Sequence, residues 1–200
     1  MRGADSHQMS APGNTQRTTT KDDYGTPPEL FALLNKRFGF DLDVCANTDN
    51  HKTPEWFGPG ALHDDAFLVD WCDWWGNSGN ESGPVCWMNP PYSDVQSWVI
   101  KAMDEWAAGA TIVAILPNST DNKKWYHDLV IPTASEIWEL KGRVQYLGKN
   151  REVLKRWNKK TQRWENPGNT TGSIIVVWRA HDPAPGNIRR IYWDWKAELD

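Results

Sequence analysis

The tetrapeptide Asn89-Pro90-Pro91-Tyr92 holds residue types whose spacing suits the activation of an exocyclic amine. Adenine N6 is a poor nucleophile because its lone pair is conjugated with the ring, and hydrogen-bond acceptors on its two hydrogens favour a pyramidal, more reactive nitrogen. The Asn89 side-chain oxygen and the Pro90 carbonyl are candidate acceptors, since two prolines fix φ and remove competing donors. Tyr92 offers a flat face for stacking a base, a contact worth about 1–3 kcal/mol. The alternative is a rigid turn before a helix, with Tyr92 as its lid.

The elements on either side of this tetrad predict how it is positioned. Residues 85–88 form a short apolar run typical of a strand, and the run ends abruptly at the tetrad. The helix that follows has an apolar face of Val95, Trp98, Val99, Ala102, Met103 and Trp106. Ser93 with Gln96 is its predicted cap and Gly109 its predicted end. Ligands of open α/β sheets bind beyond the carboxyl ends of the strands, so this strand-to-helix turn favours an active site.

The rest of the chain alternates between predicted strands and helices. Thr26-Pro27-Pro28-Glu29 is typical of a capping box and starts a helix that ends at Gly39. Strands are predicted at 40–44, 111–116, 136–140, 144–147 and 173–178, and a further helix at about 122–130. This order predicts a single α/β domain over residues 21–200, with a mostly parallel sheet whose final strands are antiparallel. Residues 1–20 contain no Val, Ile, Leu or aromatic residue and are predicted to be a disordered tail.

Charge is distributed unevenly along the chain, although the net charge is only −4. Residues 41–90 hold nine carboxylates and one lysine, a balance that suits a cationic ligand. Residues 148–168, called the basic loop below, hold seven Lys or Arg and two Glu, which suits a polyanion. Two differently solvated surfaces are the alternative interpretation. A pyrophosphate ligand is not indicated, because no glycine-rich loop follows the first strand.

Composition and cysteine spacing exclude several classes of protein. The longest apolar run, 111–116, is too short to span a membrane, and the sequence opens with no signal segment. Three widely spaced cysteines without a Cys-x-x-Cys pair do not indicate a disulfide framework, so a cytoplasmic location is expected. The five histidines show no metal-ligand spacing, and no metal is expected. A monomer or weak dimer is expected.

The chain resembles a known family over most of the residues after the tail. The tetrad is the catalytic motif of amino-methyltransferases that use S-adenosylmethionine. The order of the other motifs is similar to that of the phage-type DNA N6-adenine methyltransferases, often called Dam. These motifs lie at 24–31, 40–46, 65–67 with 70–71, 115–117, 141–144 and 173–178. The resemblance implies a Rossmann-like, S-adenosylmethionine-dependent methyltransferase that acts on adenine N6 in DNA, with a host-cell location if a phage encodes it.

The same resemblance implies roles for individual residues. Cofactor contacts are implied for Tyr24, Thr26 and Pro27 at the methionine end, for Asp43, Cys45 and Ala46 after the first strand, and for Asp65 and Phe67 at the adenine. The tetrad would act on a target base that has been flipped out of duplex DNA. DNA contacts are expected from Lys123, Lys124, Arg143, Lys155, Arg156, Lys159, Lys160 and Arg163.

Other functions stay open at this point. A DNA-binding protein without catalysis would use the basic loop, but it would have no reason to keep Asn89 beside two prolines. A methyltransferase acting on RNA or on a protein amide nitrogen would use a similar tetrad, whereas the basic loop favours DNA. Glu139 and Lys141 match part of a metal-dependent nuclease pattern, but no partner aspartate is convincingly placed.

Overall fold

The computed structural model describes residues 22, 24–77, 79, 82–118, 120–121, 123–148, 151, 153, 156–158, 160–165 and 171–199. Within these ranges, side chains are described except at 156–158, 164 and 165. The predicted tail at 1–20 lies outside the described residues. None of the described helices has the length and apolar character needed to cross a bilayer.

Strands and helices follow one another along the chain. The described strands are β1 (Leu42–Asp43), β2 (Glu55–Trp56), β3 (Val85–Met88), β4 (Thr111–Pro117), β5 (Glu136–Leu140), β6 (Arg156–Asn158), β7 (Arg163–Glu165), β8 (Ser173–Trp178) and β9 (Arg189–Trp193). The described α-helices are α1 (Pro28–Phe38), α2 (Trp71–Gly76), α3 (Val95–Ala107) and α4 (Ile131–Thr133). A π-helical turn, Trp125–Val130, runs into α4, and short 3-10 turns lie at Ala66–Leu68 and Trp195–Glu198.

The central sheet has seven strands in the order β2-β1-β3-β4-β8-β5-β9. Six of them run in the same direction, and β8 is antiparallel to both of its neighbours, β4 and β5. The prediction of a mostly parallel sheet with an antiparallel strand near its end is therefore confirmed. The parallel edge strand β9 has no counterpart in the sequence prediction. This strand is only partly buried, with Arg189, Arg190 and Tyr192 exposed, so its sequence has no clear apolar pattern.

The strand predicted at 144–147 is wrong. Among the described residues of this segment only Leu147 pairs with other backbone, in isolated bridges to Gly25 and Val153. Burial does alternate, because Val144 and Tyr146 are buried while Gln145 is exposed. Val144 and Tyr146 are buried because they pack into the core cluster that also contains the apolar side chains of α1, and this packing requires no strand pairing.

The predicted end of the first helix at Gly39 is confirmed, whereas both predicted N-terminal caps are wrong. Pro27 is the N-cap of α1 (φ −54°, ψ 136°), and the helix start has no side-chain cap because a proline side chain carries no hydrogen-bond acceptor. The buried hydroxyl of Thr26 has no hydrogen-bond partner among the described residues. At α3 the cap is Asp94 rather than Ser93, because the Asp94 carboxylate accepts a hydrogen bond from the Ser97 backbone.

The core lies on both faces of the sheet. Successive residues of β4 alternate between the two faces, one covered by α3 and the other by α1. A strand buried on both faces carries apolar residues at every position, which explains the uniform apolar run there. The chain has fourteen tryptophans, and Trp71, Trp87 and Trp178 are fully buried, so part of this content serves packing.

The topology collects the functional segments at one edge of the sheet. Because β1, β3, β4 and β5 are parallel, their carboxyl ends lie along the same edge, and Asn89 follows β3 there. Ser173, the first residue of β8, pairs with Pro117, the last residue of β4. The segment between β5 and β8, which includes the basic loop, therefore leaves and rejoins the sheet at the edge that holds the tetrad.

Candidate active site

A cleft of about 280 Å³ opens at the carboxyl ends of β1 and β3. Its volume is near the lower end of small-molecule sites, which span about 300–1,000 Å³. The predicted site residues that line it are Tyr24, Cys45, Ala46, Asp65, Phe67, Asn89 and Pro91. The lining residues that the sequence interpretation missed are Asp22, Val44, Asn47, Asn50, Phe57, Gly58, Pro59, Asp64, Ala66 and Trp98.

The charge of the cleft suits a cationic ligand. The carboxylates of Asp22, Asp64 and Asp65 line it, and its described lining residues include no Lys or Arg. Asp65 also shapes the wall, because its Oδ1 accepts a hydrogen bond from the Phe67 backbone N–H at 2.9 Å. The acidic stretch inferred from composition is thus partly gathered into a single cavity.

An exposed aromatic ring lies at this cavity. Phe67 remains 40% exposed although it is large and apolar. Its ring packs edge-on against Trp98, with the centroids 4.6 Å apart. This contact holds the ring at the cleft, where a flat ligand can pack against it.

One wall of the cleft depends on the close approach of two loops. Gly58 has a positive φ of 132°, and a Cβ added there would lie 1.9 Å from the Ala46 carbonyl oxygen. The Ala46 N–H donates to the Phe57 carbonyl at 3.0 Å, which holds the loop after β1 against the loop after β2. Only glycine is compatible with this approach. The Pro/Gly-rich stretch around Gly58 is the sequence signal that could have located this wall.

Asn89 is oriented by the main chain of the N-terminal segment. Its Nδ2 donates a hydrogen bond to the Tyr24 carbonyl oxygen at 2.7 Å. Because the nitrogen is bound in this way, the amide oxygen is available to a donor in the cleft that Asn89 lines. The two prolines that follow differ in position, since Pro91 also lines the cleft while Pro90 is buried.

Tyr92 is held by a chain of hydroxyl groups. Its Oη lies 2.5 Å from the Oη of Tyr146, which in turn lies 2.9 Å from the Oγ of Ser173. Burial raises the pKa of Tyr92 to about 12, so its hydroxyl stays neutral near physiological pH. Tyr146 also stacks on Tyr24, with the ring centroids 5.5 Å apart and 13° between the ring planes.

A smaller cavity adjoins the cleft and is lined by Thr26, Asp43, Cys45 and Asn89, among others. The Asp43 carboxylate is buried and accepts hydrogen bonds from the backbone N–H groups of Cys45 (3.3 Å) and Lys52 (3.0 Å). Burial raises the pKa of Asp43 to about 7 despite these hydrogen bonds. Burial likewise raises the pKa of the Cys45 thiol, which disfavours the nucleophilic thiolate.

The structure brings most of the predicted site residues together, but not all of them. Of the described residues that line the cleft or the smaller cavity, none is Pro27, Pro90 or Tyr92. Asn47 and Asn50 line the cleft and were not predicted. Their side-chain oxygens accept backbone hydrogen bonds within the turn after β1, so the signal for them is an Asn-x-x-Asn turn at a strand end.

The nuclease pattern does not form a site. Glu139 pairs with Arg190 at 3.4 Å, and Lys141 pairs with Asp194 at 2.5 Å. In the part of the chain that the structure describes, no three His, Cys, Asp or Glu side chains are grouped as a metal ion requires.

The predicted DNA-contacting residues lie in three places. Lys123 and Lys124 are exposed shortly after β4, and Arg143 is exposed after β5. Within the basic loop, β6 and β7 form a two-stranded antiparallel sheet, with Lys160 and Arg163 exposed at its turn and second strand. Lys155 and Lys159 lie outside the described residues. Arg156 is in β6, but its side chain lies outside them too.

The chain entering the basic loop is attached to the cleft. Leu147 exchanges two backbone hydrogen bonds of 2.9 Å with Gly25, the neighbour of Tyr24. Arg151 donates from Nε to the Asp49 carbonyl at 2.7 Å, beside the turn that lines the cleft. The cleft and the loop are therefore parts of one continuous edge.

The sheet order, the cleft at its carboxyl edge and the Asn-Pro-Pro-Tyr turn define a Rossmann-like methyltransferase. A family model described as DNA N-6-adenine-methyltransferase (Dam) matches residues 13–191. The chain is 30% identical over 131 residues to the DNA N-6-adenine-methyltransferase of Haemophilus phage HP1 (strain HP1c1), covering 64% of this chain and 67% of that protein. It is 27% identical over 129 residues to the DNA N-6-adenine-methyltransferase of Escherichia phage T1, covering 63% and 48%. The chain belongs to the Dam family of DNA N6-adenine methyltransferases, and this membership implies a methyl donor and a DNA substrate.

Proposed function

We propose that the enzyme transfers the methyl group of S-adenosylmethionine, bound in the acidic cleft, to N6 of an adenine flipped out of duplex DNA. The orientation of Asn89 is the observation that carries this proposal. Its amide nitrogen is bound by the Tyr24 carbonyl, so its oxygen is free to accept a hydrogen from a base amine in the cleft. When bound, S-adenosylmethionine supplies a methyl group already activated by a positively charged sulfur.

The residues of the cleft fit this methyl donor. Its sulfonium and ammonium groups are cations, and the cleft is lined by carboxylates, including Asp65. The buried Thr26 hydroxyl has no hydrogen-bond partner in the part of the chain that the structure describes, and it offers a polar contact at the adjoining cavity. Tyr24, Thr26 and Pro27 are assigned to the methionine end, with Asp43, Cys45 and Ala46 at the centre. Asp65 and Phe67 are assigned to the adenine, for which the exposed Phe67 ring supplies a flat contact.

The tetrad is proposed to act on the target base. The Asn89 oxygen and the Pro90 carbonyl accept the two hydrogens of N6 and favour its pyramidal form. Their interaction strengthens as the nitrogen gathers positive charge during attack, and the proton leaves during or after this step. Because Tyr92 stays neutral, it contributes a stacking surface rather than a base.

The basic loop is proposed to hold the phosphates of duplex DNA near the cleft. Its attachment through Leu147 to Gly25 supports this proposal, because a duplex bound by the loop would lie beside the tetrad. Lys123, Lys124 and Arg143 follow strands that end at the same edge and would extend this surface. A base within the duplex is out of reach of the tetrad, so the target is flipped. The enzyme is proposed to act as a monomer or weak dimer in the cytoplasm that contains its DNA.

Product analysis tests this proposal. The protein is incubated with methyl-labelled S-adenosylmethionine, excess chelator and either unmethylated DNA or RNA, and the nucleosides are then separated. Label is expected in N6-methyladenine from DNA only. Label in methylcytosine, in RNA or in protein would overturn the substrate assignment, and the absence of transfer with DNA would overturn the proposal as a whole.

Cofactor placement is tested by calorimetry with Asp65→Ala. Loss of the Asp65 carboxylate is expected to weaken S-adenosylmethionine binding by about 1–3 kcal/mol, the cost of leaving a hydrogen-bonding group of the ligand without its partner. Asp104→Ala, an exposed carboxylate on α3, is the matched control and should bind like the wild type. Equal affinities for Asp65→Ala and the control would contradict the assignment of Asp65.

A further inference from the structure

We infer that Tyr146 is a positioning residue for methyl transfer, which fixes Tyr92 through its hydroxyl and supports the segment that orients Asn89. The inference rests on the proposed roles of Asn89 and Tyr92. Tyr146 is only 4% exposed and is not among the described residues that line either cavity. It can therefore influence the reaction only through its neighbours.

The first link runs from Tyr146 to the base-stacking residue. The Tyr146 hydroxyl lies between the Tyr92 hydroxyl at 2.5 Å and the Ser173 hydroxyl at 2.9 Å. Ser173 is buried at the start of β8 and pairs with Pro117 of β4, so this chain of hydroxyls ends in the central sheet. A ring tethered at its far end has its position restricted before a base arrives. The ordering of Tyr92 then does not have to occur during base binding.

The second link runs from Tyr146 to Asn89. The Tyr146 ring stacks on Tyr24 at 5.5 Å, and the Tyr24 carbonyl accepts the hydrogen bond that orients the Asn89 amide. The next residue, Leu147, pairs through its backbone with Gly25 in both directions. Residues 146–147 thus hold residues 24–25 by side chain and backbone together. Tyr146 therefore contacts Tyr92 directly and is linked to Asn89 through Tyr24.

The hydroxyl distinguishes this role from ordinary core packing. A phenylalanine at position 146 would fill nearly the same volume and could keep the stack on Tyr24. A buried hydroxyl is costly unless it is hydrogen-bonded, and here its partners are a tetrad residue and a sheet residue. Tyr146→Phe therefore removes the proposed function of the hydroxyl and leaves the packing in place.

The test compares single-turnover rates of methyl transfer to unmethylated DNA at saturating S-adenosylmethionine. Tyr146→Phe is expected to lower the rate about 2- to 12-fold, the range of one net hydrogen bond, with cofactor affinity unchanged. Tyr92→Phe removes the other end of the same bond and is expected to cause a loss of similar size. If Tyr146 acts through Tyr92, Tyr146→Phe will cause no further loss in the Tyr92→Phe background.

Four outcomes separate the possible explanations. An equal loss from Tyr146→Phe in both backgrounds, or a wild-type rate for Tyr146→Phe beside an inactive Asn89→Ala, would overturn this inference alone. A wild-type rate for Asn89→Ala would overturn the proposed function and this inference with it. Tyr126→Phe is the matched control, since it removes another buried tyrosine hydroxyl, one placed 3.4 Å from Arg190. A comparable loss in this control would show a general effect of buried hydroxyls and would also overturn the inference.

Discussion

Replacement of Asp43 by Asn is expected to remove most of the pH dependence of stability between pH 5 and pH 8. The Asp43 carboxylate is 3% exposed, and its two oxygens accept hydrogen bonds from the backbone N–H groups of Cys45 and Lys52. Burial outweighs these hydrogen bonds and raises the pKa of Asp43 from 3.8 to about 7. The folded protein therefore keeps a proton on Asp43 over a pH range in which the unfolded chain has lost it.

The sign and size of the effect follow from this proton balance. Between the two pKa values the folded state binds more protons, so the free energy of unfolding falls as the pH rises. At about 1.36 kcal/mol per pKa unit the full effect is on the order of 4 kcal/mol, of which about 2–3 kcal/mol is lost between pH 5 and pH 8. Glu136 acts in the opposite direction at lower pH. Its burial is outweighed by hydrogen bonds, first from Arg179, which lower its pKa below 4.5, so its contribution is nearly complete above pH 5.

Urea unfolding at pH 5, 6, 7 and 8 measures this effect. The wild-type protein is expected to lose about 2–3 kcal/mol of unfolding free energy over the series, while Asp43→Asn should change much less. The variant should be the less stable protein at pH 5, because one amide oxygen cannot serve both backbone N–H groups, and the difference should shrink towards pH 8. Asp49→Asn, exposed in the following turn, controls for the loss of one carboxylate. If the free energy of unfolding changed with pH equally in the wild type and in Asp43→Asn, the reasoning would be refuted. Asp43 would then have the same pKa in the folded and unfolded states.

Two further predictions concern catalysis and DNA binding. Asn89→Ala is expected to lower the single-turnover rate about a hundredfold or more, corresponding to about 2.7–4 kcal/mol for one preorganised polar group, while calorimetry shows unchanged cofactor affinity. A wild-type rate would exclude the proposed role of its oxygen. Charge reversal at Lys160 and Arg163, together with Lys155 and Lys159, should weaken binding to all DNA sequences and flatten the salt dependence by nearly one unit per lost phosphate contact. Unchanged affinity across a salt titration would leave the basic loop as a solvated hairpin.

Local sequence patterns predict those elements of the fold in which the residue types reflect which positions are buried. The strand β4 is recognisable because both of its faces are covered, so every central position is apolar. The strand β3 and helix α3 are recognisable for similar reasons, and together they place the tetrad at a strand end. Edge strand β9 could not be predicted in this way, because a strand at the edge of a sheet tolerates exposed Arg and Tyr residues.

The cleft is only partly predictable, because its walls come from contacts between distant segments. Nothing local to Gly58 indicates that it meets the Ala46 carbonyl. Nothing local to Tyr146 indicates that its hydroxyl meets those of Tyr92 and Ser173. At Thr26 a local pattern misleads instead. The sequence contains a capping pattern, but Pro27 is the N-cap of α1, so the Thr26 hydroxyl does not cap the helix. Pairings of this kind depend on the assembled sheet.

The position of β8 also governs when the sheet can close during synthesis. β8 lies between β4 and β5, yet it is made after both of them and after the basic loop. Until Ser173–Trp178 leaves the ribosome, β4 and β5 each keep an unpaired edge of backbone N–H and C=O groups on the side where β8 will lie. Such edges invite pairing with other chains, and contacts between distant segments form slowly. Between the synthesis of β5 and that of β8, the nascent enzyme therefore carries two open edges at its centre, and β8 seals both.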